Sequence, residues 1–221
     1  MDSFTELHLG TSALVTIDTQ NDFVLDGAPS QVSGTSAILP RMVELLERYR
    51  QLHLPIIHVI RLYLPDGSDA DLCRRQKIQD GVPFAVPGTP GAELCPEILP
   101  AKAQPLDWEG LRIQRVQEIA PNEFVIYKPR WGAFYDTLLE DFLRFRGLDS
   151  LVICGCNFPN CPRATIYEAS ERDFRVGLVD DAVSRATTQS IEEMRRMGVE
   201  VVSTRALLAR LTGDPVIAWP A

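Results

Sequence analysis

Histidine is scarce in this chain. There are three histidines among 221 residues, and none lies beyond His58. A cysteine–histidine protease site and a typical transition-metal site both use histidine, so the sequence after residue 58 favours neither. His58 itself lies inside an apolar run, where a packed core histidine is a better interpretation than a ligand.

Long apolar runs and an excess of basic residues are also missing. No apolar run approaches the ~20 residues that a membrane-spanning helix needs, and the first six residues, MDSFTE, lack the basic and apolar regions of a signal peptide. Acidic residues outnumber basic ones by 30 to 22, which gives a net charge of −8. This balance disfavours a nucleic-acid or anionic-membrane surface, so we expect neither partner.

The cysteine count and the chain length limit the fold class. Five cysteines are an odd number in a chain of 221 residues, which disfavours a disulfide framework and favours a reducing cytoplasm. Apolar residues make up 45% of the chain, enough to bury a sizeable core. We expect one large α/β domain over residues 1–221.

Apolar runs of the β-strand type alternate with segments of helical spacing. Strands are predicted at 13–17, 55–60, 123–127, 150–154, 175–179 and 199–202, and helices at 38–52, 136–145, 161–173, 188–197 and 206–211. This alternation produces βαβ units, whose right-handed crossovers place helices on both faces of a parallel sheet. The expected fold class is therefore α/β.

Residues 62–112 differ from the rest of the chain. Proline and glycine recur there with little periodicity, and long irregular stretches in compact domains are usually functional or mobile. We interpret 62–112 as an insertion, a lid or interface that covers one edge of the sheet, shapes the pocket and reaches a neighbouring subunit. Its acidic residues, Asp66, Asp69 and Asp71, are expected to form a solvated face.

One stretch carries the signature of a nucleophile. The apolar run 151–154 enters a turn containing Gly155 and Pro159, and a helix is predicted to begin near Cys161, with Pro162 at its first position. Cys161 would then lie where a strand turns into a helix N-terminus. The helix dipole favours a thiolate there, so we interpret Cys161 as a nucleophile.

Two further charged residues follow predicted strands. Asp18 comes directly after strand 13–17, and Lys128 comes after strand 123–127. Taken alone, Asp18 fits a turn cap as well as a site residue. Because parallel strands end at the same edge of a sheet, we expect Asp18, Lys128 and Cys161 to converge.

Together these groups suit acyl transfer. Cys161 could attack a carbonyl, Asp18 could take its proton and return it to a leaving amine, and the charge of Lys128 would stabilise both anions. Backbone N–H groups at Asn157 and Cys161 could hold the oxyanion.

Aromatic and basic neighbours suggest a substrate pocket. Phe23, Trp131 and Phe158 lie next to the three positions in sequence and could wall an apolar pocket. Arg130 could bind a substrate carboxylate in bidentate fashion, or it could pair with Asp22 or a surface acid, and both interpretations stay open here.

Three motifs resemble those of the isochorismatase-like cysteine hydrolases. They are IDTQNDF at 17–23, KPRWGAF at 128–134, and the turn 155–161 with the helix after it. The resemblance covers about residues 12–210. It implies a three-layer α/β/α sandwich around a six-stranded, mostly parallel sheet, with Asp18, Lys128 and Cys161 as an Asp–Lys–Cys triad. It also implies a cis peptide before Asn157 and a homodimer or homotetramer.

Departures from the family pattern narrow the expected activity. Relatives that hydrolyse nicotinamide hold a metal through an aspartate and two histidines just beyond the second strand, where residues 61–67 contain no histidine. True isochorismatases cleave a vinyl ether without needing the cysteine. The resemblance and Cys161 together favour hydrolysis of a C–N bond in a small amide, ureido or carbamoyl compound, with no cofactor.

Two other interpretations stay open at this point. One is isochorismatase-type ether hydrolysis with Asp18 as the acid. The other is a non-catalytic binding or redox-sensing protein that uses the thiol of Cys161. Phe158-Pro159 also replaces the threonine and asparagine or aspartate that many relatives carry, and this leaves the substrate open.

Overall fold

A seven-stranded sheet forms the centre of the computed structural model, which describes residues 3–211. The strands are β1 Ser12–Ile17, β2 Ile56–Arg61, β3 Gln117–Ala120, β4 Glu123–Lys128, β5 Ser150–Gly155, β6 Arg175–Val183 and β7 Glu200–Val202. Their order across the sheet is β3-β4-β2-β1-β5-β6-β7. All neighbouring strands pair in parallel except β3, which is antiparallel to β4.

The prediction of a mostly parallel sheet is confirmed, with one strand more than the six expected. The additional strand, β3, lies at the edge of the sheet, and only Ile119 among its four residues is buried. Asn122, in the turn that joins β3 to β4, has a φ of +58°. A four-residue edge strand with one buried side chain carries too little pattern to be recognised in the sequence.

Helices cover both faces of the sheet. They are α1 Asn21–Val24, α2 Thr35–Gln51, α3 Leu72–Gln79, α4 Trp108–Arg112, α5 Leu139–Phe145, α6 Cys161–Ser170, α7 Thr188–Arg196 and α8 Thr204–Arg210. The five predicted helices are found, with ends shifted by a few residues. Among residues 3–211, no helix is both long enough and apolar enough to span a bilayer.

Alternate residues along the strands face opposite layers. In β1, Leu14 joins a core cluster with α2 and α8, whereas Val15 and Ile17 join a second cluster with α5, α6 and α7. Successive side chains of a strand point to opposite faces, so this division confirms the three-layer α/β/α arrangement. A sheet buried on both faces also explains why the strands are continuous apolar runs.

The stretch 62–112 is more regular than expected. It contains α3, α4 and a 3-10 turn at Pro96–Ile98. Its backbone bonds to the segment that follows β1: Asn21 N–H donates to Glu93 O and Asp22 N–H donates to Gly91 O, each at 2.9 Å. This contact places the stretch beside the carboxyl end of β1, where Asp18 lies.

Candidate active site

Three predicted site residues meet at the carboxyl edge of the sheet. Lys128 Nζ, at the end of β4, donates to Asp18 Oδ2 at 2.9 Å, and both side chains are buried. Cys161 begins α6 and lines the same cavity as Asp18. Asp18 Oδ1 is buried and accepts no hydrogen bond within residues 3–211, so this oxygen is available as a proton acceptor.

The turn before Cys161 depends on a glycine. Gly155 has a φ of +112°, and a Cβ there would collide with the backbone of Ile17. The next residue, Cys156, donates its N–H to Ile17 O at 2.8 Å. A side chain at residue 155 would therefore push the end of β5 away from β1, and only glycine fits at the required φ.

The 128–134 motif holds helix α6 in place. Thr165 Oγ1 accepts from Ala133 N–H at 3.1 Å and donates to Cys161 O at 2.8 Å. Glu168 Oε2 accepts from Phe134 N–H at 2.9 Å, and the lack of a side chain at Gly132 makes room for this carboxylate. The motif that supplies Lys128 thus also positions the helix that begins at Cys161.

Burial determines the protonation state of Cys161 at rest. Cys161 is 4% exposed. Burial raises its pKa above the usual range, the carboxylate of Asp18 raises it further, and Lys128 and Arg61 lower it. The start of α6 favours a thiolate, but burial is the largest influence on the pKa of Cys161 and it favours the protonated thiol. Cys161 therefore needs a base.

The predicted oxyanion hole lies in the same place. Asn157 and Cys161 both line the cavity, and the Cys156–Asn157 peptide bond is cis, as the family resemblance implied. Asn157 Oδ1 is buried and has no hydrogen-bond partner among the described residues. The oxyanion role of the two backbone N–H groups stays a prediction.

The cavity beside Cys161 has a volume of about 330 Å³. Asp18, Phe23, Asn157 and Cys161 line it, whereas Lys128 lies behind Asp18 and is wholly buried. Of the four side chains predicted to bind substrate, only Phe23 reaches this cavity.

The other three predicted substrate-binding residues lie elsewhere. Phe158 is fully buried in the core layer that contains α6. Arg130 and Trp131 line a separate, open cavity with Tyr135. Arg130 Nη1 donates to Pro129 O at 2.8 Å and Asp69 O at 3.2 Å. After Pro129 the chain thus turns away from Cys161, and adjacency to Lys128 in sequence does not bring the side chains of Arg130 and Trp131 to the Cys161 cavity.

Sequence reasoning missed Arg61. This side chain is 2% exposed at the end of β2, directly opposite Lys128 in the sheet register. Its Nη2 lies 3.8 Å from Cys161 Sγ, and its Nη1 donates to Asp71 Oδ2 at 3.1 Å. A charged residue ending a buried strand is the same signal that identified Asp18 and Lys128, so the sequence did contain it.

Asp71 is buried, contrary to the expected solvated face. Its Oδ2 accepts from Arg61 and also from the hydroxyl of Tyr63, at 2.7 Å. Burial raises the pKa of Tyr63, so the hydroxyl stays protonated and donates. Within residues 3–211, no cluster of three or more His, Cys, Asp or Glu side chains is arranged to hold a metal ion.

Three more basic residues line the cavity and were also missed. Arg74 and Lys77 come from α3, and Arg185 follows β6. Lys77 Nζ donates to Pro29 O at 2.7 Å. No ion pair joins Arg74, Lys77 or Arg185 to an acidic side chain in the described part of the chain. Helix α3 has one buried apolar residue, Ile78, so its sequence shows no clear helical periodicity.

Comparison with known proteins extends over most of the chain. Residues 12–106 and 112–206 match the isochorismatase domain. An Arabidopsis thaliana protein named a probable inactive nicotinamidase is 34% identical over 195 residues, covering 86% of this chain and 90% of that protein. Ureidoacrylate amidohydrolase RutB of Azorhizobium caulinodans is 25% identical over 202 residues, covering 86% of this chain and 83% of that protein.

A solved structure matches both in sequence and in fold. An isochorismatase family protein from Desulfovibrio vulgaris superposes with a TM-score of 0.78 at 36% identity, covering 91% of this chain and 98% of that chain. The domain match, the sequence relatives and this superposition agree with the three motifs and with the sheet. The chain belongs to the isochorismatase family of hydrolases.

Proposed function

We propose that this protein is a cysteine amidohydrolase that cleaves the C–N bond of a small amide, ureido or carbamoyl compound. The observation that carries the proposal is the placement of Cys161 and Asp18 in one cavity, with Lys128 bonded to Asp18 at 2.9 Å. The relationship to ureidoacrylate amidohydrolase supports it.

The first half-reaction forms an acyl-enzyme. Asp18 Oδ1 takes the proton of the Cys161 thiol, and the sulfur attacks the substrate carbonyl carbon as the C=O electrons move to oxygen. The tetrahedral intermediate collapses to a thioester when the C–N bond breaks. Asp18 returns the proton to the leaving nitrogen, which departs as ammonia or an amine.

The second half-reaction restores the enzyme. Asp18 takes a proton from water, and the oxygen attacks the thioester carbonyl. The C–S bond breaks, the acid product leaves, and the sulfur regains a proton from Asp18. Lys128 holds the carboxylate in place through both half-reactions and offsets its charge at a buried position, where the attraction between opposite charges is stronger than in bulk water.

The cavity lining favours an anionic substrate. The chain carries a net charge of −8, yet Arg74, Lys77 and Arg185 line the cavity without an acidic partner in the described residues. Clustered cations in a cleft attract and orient anions, and guanidinium groups bind carboxylates with two hydrogen bonds. We therefore propose that the substrate carries a carboxylate a few bonds away from the scissile amide.

The structure weighs against a sensor role. Redox-sensing cysteines have low pKa values and are accessible to solvent. Cys161 is 4% exposed and burial raises its pKa. Ether hydrolysis with Asp18 as the acid would not need the Cys161 thiol. The activity of Cys161→Ala therefore distinguishes ether hydrolysis from amide hydrolysis.

Ammonia release from a panel of small compounds tests the proposal. The panel should pair each ureido or amide acid with its neutral methyl ester, and it should be run on the wild type, Cys161→Ala and Cys73→Ala. Cys73 is an exposed cysteine outside the cavity, so its variant serves as the matched control. We expect activity on the acids in the wild type and in Cys73→Ala, and none in Cys161→Ala. Full activity in folded Cys161→Ala would overturn the proposal.

A further inference from the structure

Arg61 connects the nucleophile to a buried carboxylate. Its Nη2 lies 3.8 Å from Cys161 Sγ, while its Nη1 donates to Asp71 Oδ2 at 3.1 Å and to Pro129 O at 2.9 Å. The guanidinium is almost wholly buried. A buried cation requires an anionic partner, and Asp71 supplies it while the sulfur occupies the other end of the guanidinium.

Charge balance shows what this arrangement does during proton transfer. With Cys161 protonated, Lys128 is paired with Asp18 and Arg61 with Asp71, and Arg130 Nε also lies 3.9 Å from Asp71 Oδ1. When the proton moves from the thiol to Asp18, the total charge of the site does not change, but one negative charge moves from the carboxylate onto the sulfur. Lys128 is bonded to the carboxylate that loses this charge, and Arg61 contacts the sulfur that gains it.

We infer that Arg61 is a catalytic residue that stabilises the Cys161 thiolate, and that Asp71 and Tyr63 position it. The inference rests on the proposed nucleophilic role of Cys161. Tyr63 donates to the same Asp71 oxygen that Arg61 binds, at 2.7 Å, and the Arg61 guanidinium carbon lies 5.4 Å from the Tyr63 ring centre. These contacts fix the guanidinium in the orientation that faces the sulfur.

The other groups around the sulfur do not replace Arg61. Asp18 raises the pKa of Cys161, and Lys128 lowers it. Cys156 also lines the cavity, but burial raises the pKa of its thiol to about 12, so it stays neutral. Arg61 is thus one of two cations that favour the thiolate, and it contacts the sulfur directly.

The pH dependence of Cys161 alkylation by iodoacetamide tests the inference without any substrate. Peptide mass spectrometry would separate modification of Cys161 from that of the exposed Cys73, whose rate is the internal control. Arg61 Nη2 lies 3.8 Å from Cys161 Sγ, and an opposite charge this close to a titratable group shifts the pKa of that group by roughly one unit or more. We expect Arg61→Gln to shift the Cys161 profile upward by about that amount, with about tenfold slower alkylation near neutral pH.

Two companion variants keep the test decisive if Arg61→Gln folds poorly. Arg61→Lys retains the charge and should leave the profile close to that of the wild type. Asp71→Asn removes the carboxylate that competes with the sulfur for Arg61, so it should shift the alkylation profile to lower pH. If Arg61 and Asp71 only maintained the structure, Asp71→Asn and Arg61→Gln should shift the profile in the same direction. An unchanged profile in folded Arg61→Gln, or shifts in the same direction in both variants, would overturn the inference.

The outcomes also separate this inference from the proposed function. Opposite shifts in the alkylation profile with no hydrolysis of any panel compound would support the role of Arg61 while leaving the amidohydrolase proposal without support. Hydrolysis that requires Cys161, together with an Arg61→Gln profile equal to that of the wild type, would support the amidohydrolase and overturn the role of Arg61.

Discussion

The Lys128–Asp18 pair shows how much a single buried contact determines at this site. Lys128 is fully buried and Asp18 is 5% exposed, so both charges are largely removed from solvent. Two ions leave water at a large cost, which their attraction offsets only while both are present. The pair therefore holds the Asp18 carboxylate in a fixed position, and each buried ion is stable there only while its partner is present.

Replacing Lys128 with methionine should destabilise the fold. Loss of one partner from a buried ion pair costs about 3–5 kcal/mol, so we expect Lys128→Met to lower the free energy of unfolding by that order. The double variant with Asp18→Asn should recover part of the loss, because no buried charge is left. Urea denaturation measures the loss in free energy of unfolding for Lys128→Met, for Asp18→Asn and for the double variant.

An exposed ion pair supplies the control. Arg115 and Asp107 pair at the surface, where such contacts contribute about 0–1 kcal/mol. Arg115→Met should therefore change stability little. Additive losses in the Lys128 and Asp18 double variant would contradict the explanation given for the buried pair.

At the level of elements, helix α3 gives the cavity its charge. Arg74 and Lys77 line the cavity, while their neighbour Arg75 binds Ser68 O and Ala70 O and does not line it. The helix is positioned by Ile78, its one buried apolar residue, and by Asp71 immediately before it. The stretch 62–112 thus supplies side chains to the cavity beside Cys161.

Removing a cation of the cavity should weaken substrate binding rather than chemistry. A hydrogen bond to a charged group contributes about 1.5–3 kcal/mol, so we expect Arg74→Gln and Arg185→Gln each to raise KM for a carboxylate substrate by roughly tenfold or more. The value of kcat should change much less. Steady-state kinetics on an acid identified in the panel measure both constants.

Arg75→Gln is the matched control for these variants, since it removes the same charge from the same helix outside the cavity. Its KM should stay near the wild-type value. Equal effects of Arg74→Gln and Arg75→Gln would show that the overall charge of the helix matters rather than a contact with substrate.

At the scale of the whole molecule, the parallel sheet brings distant residues together. Asp18, Arg61 and Lys128 lie at the ends of three neighbouring strands, and Cys161 follows the strand on the other side of β1. Side chains at the carboxyl ends of parallel strands converge at one edge. Assembly into a homodimer or homotetramer and a cytoplasmic location stay predictions.

Buried thiols should make the whole fold sensitive to alkaline pH. Burial raises the pKa of Cys95 and Cys156 to about 12, from a usual value of 9.0, and also raises the pKa of Cys154 and Cys161. Above pH 9 the unfolded chain binds fewer protons than the folded one. Stability is therefore full below the unfolded pKa and is lost as pH rises towards the folded pKa.

The expected slope is about 1.4 kcal/mol per pH unit for each such thiol. Urea denaturation between pH 8 and 10 would measure it (roughly the range over which unfolded thiols ionise). Cys156→Ala should reduce the slope by the contribution of one thiol, even if the substitution also lowers the free energy of unfolding at neutral pH. An identical slope in Cys156→Ala and the wild type would contradict the assignment.

Much of the site could be predicted from strand ends alone. Asp18, Lys128 and Cys161 each follow a long, fully buried strand, whose apolar run is easy to recognise. Arg61 ends β2, another fully buried strand, and so carries the same signal.

Other features could not be predicted because they depend on tertiary contacts. The orientation of Arg130 is determined by contacts with Asp69 O and the Asp71 carboxylate, which lie about 60 residues earlier in the chain. The buried state of Asp71 depends on Arg61 and Tyr63. Composition and periodicity carry no information about such pairings.

Trapping the acyl-enzyme tests the central claim most directly. The wild type would be mixed with a carboxylate-bearing amide that the panel identifies as a substrate, quenched in acid during turnover, and digested for mass spectrometry. We predict a mass increase equal to the acyl group on the peptide that contains Cys161, and neither adduct nor turnover in Cys161→Ala. Turnover that persists in Cys161→Ala would contradict the account.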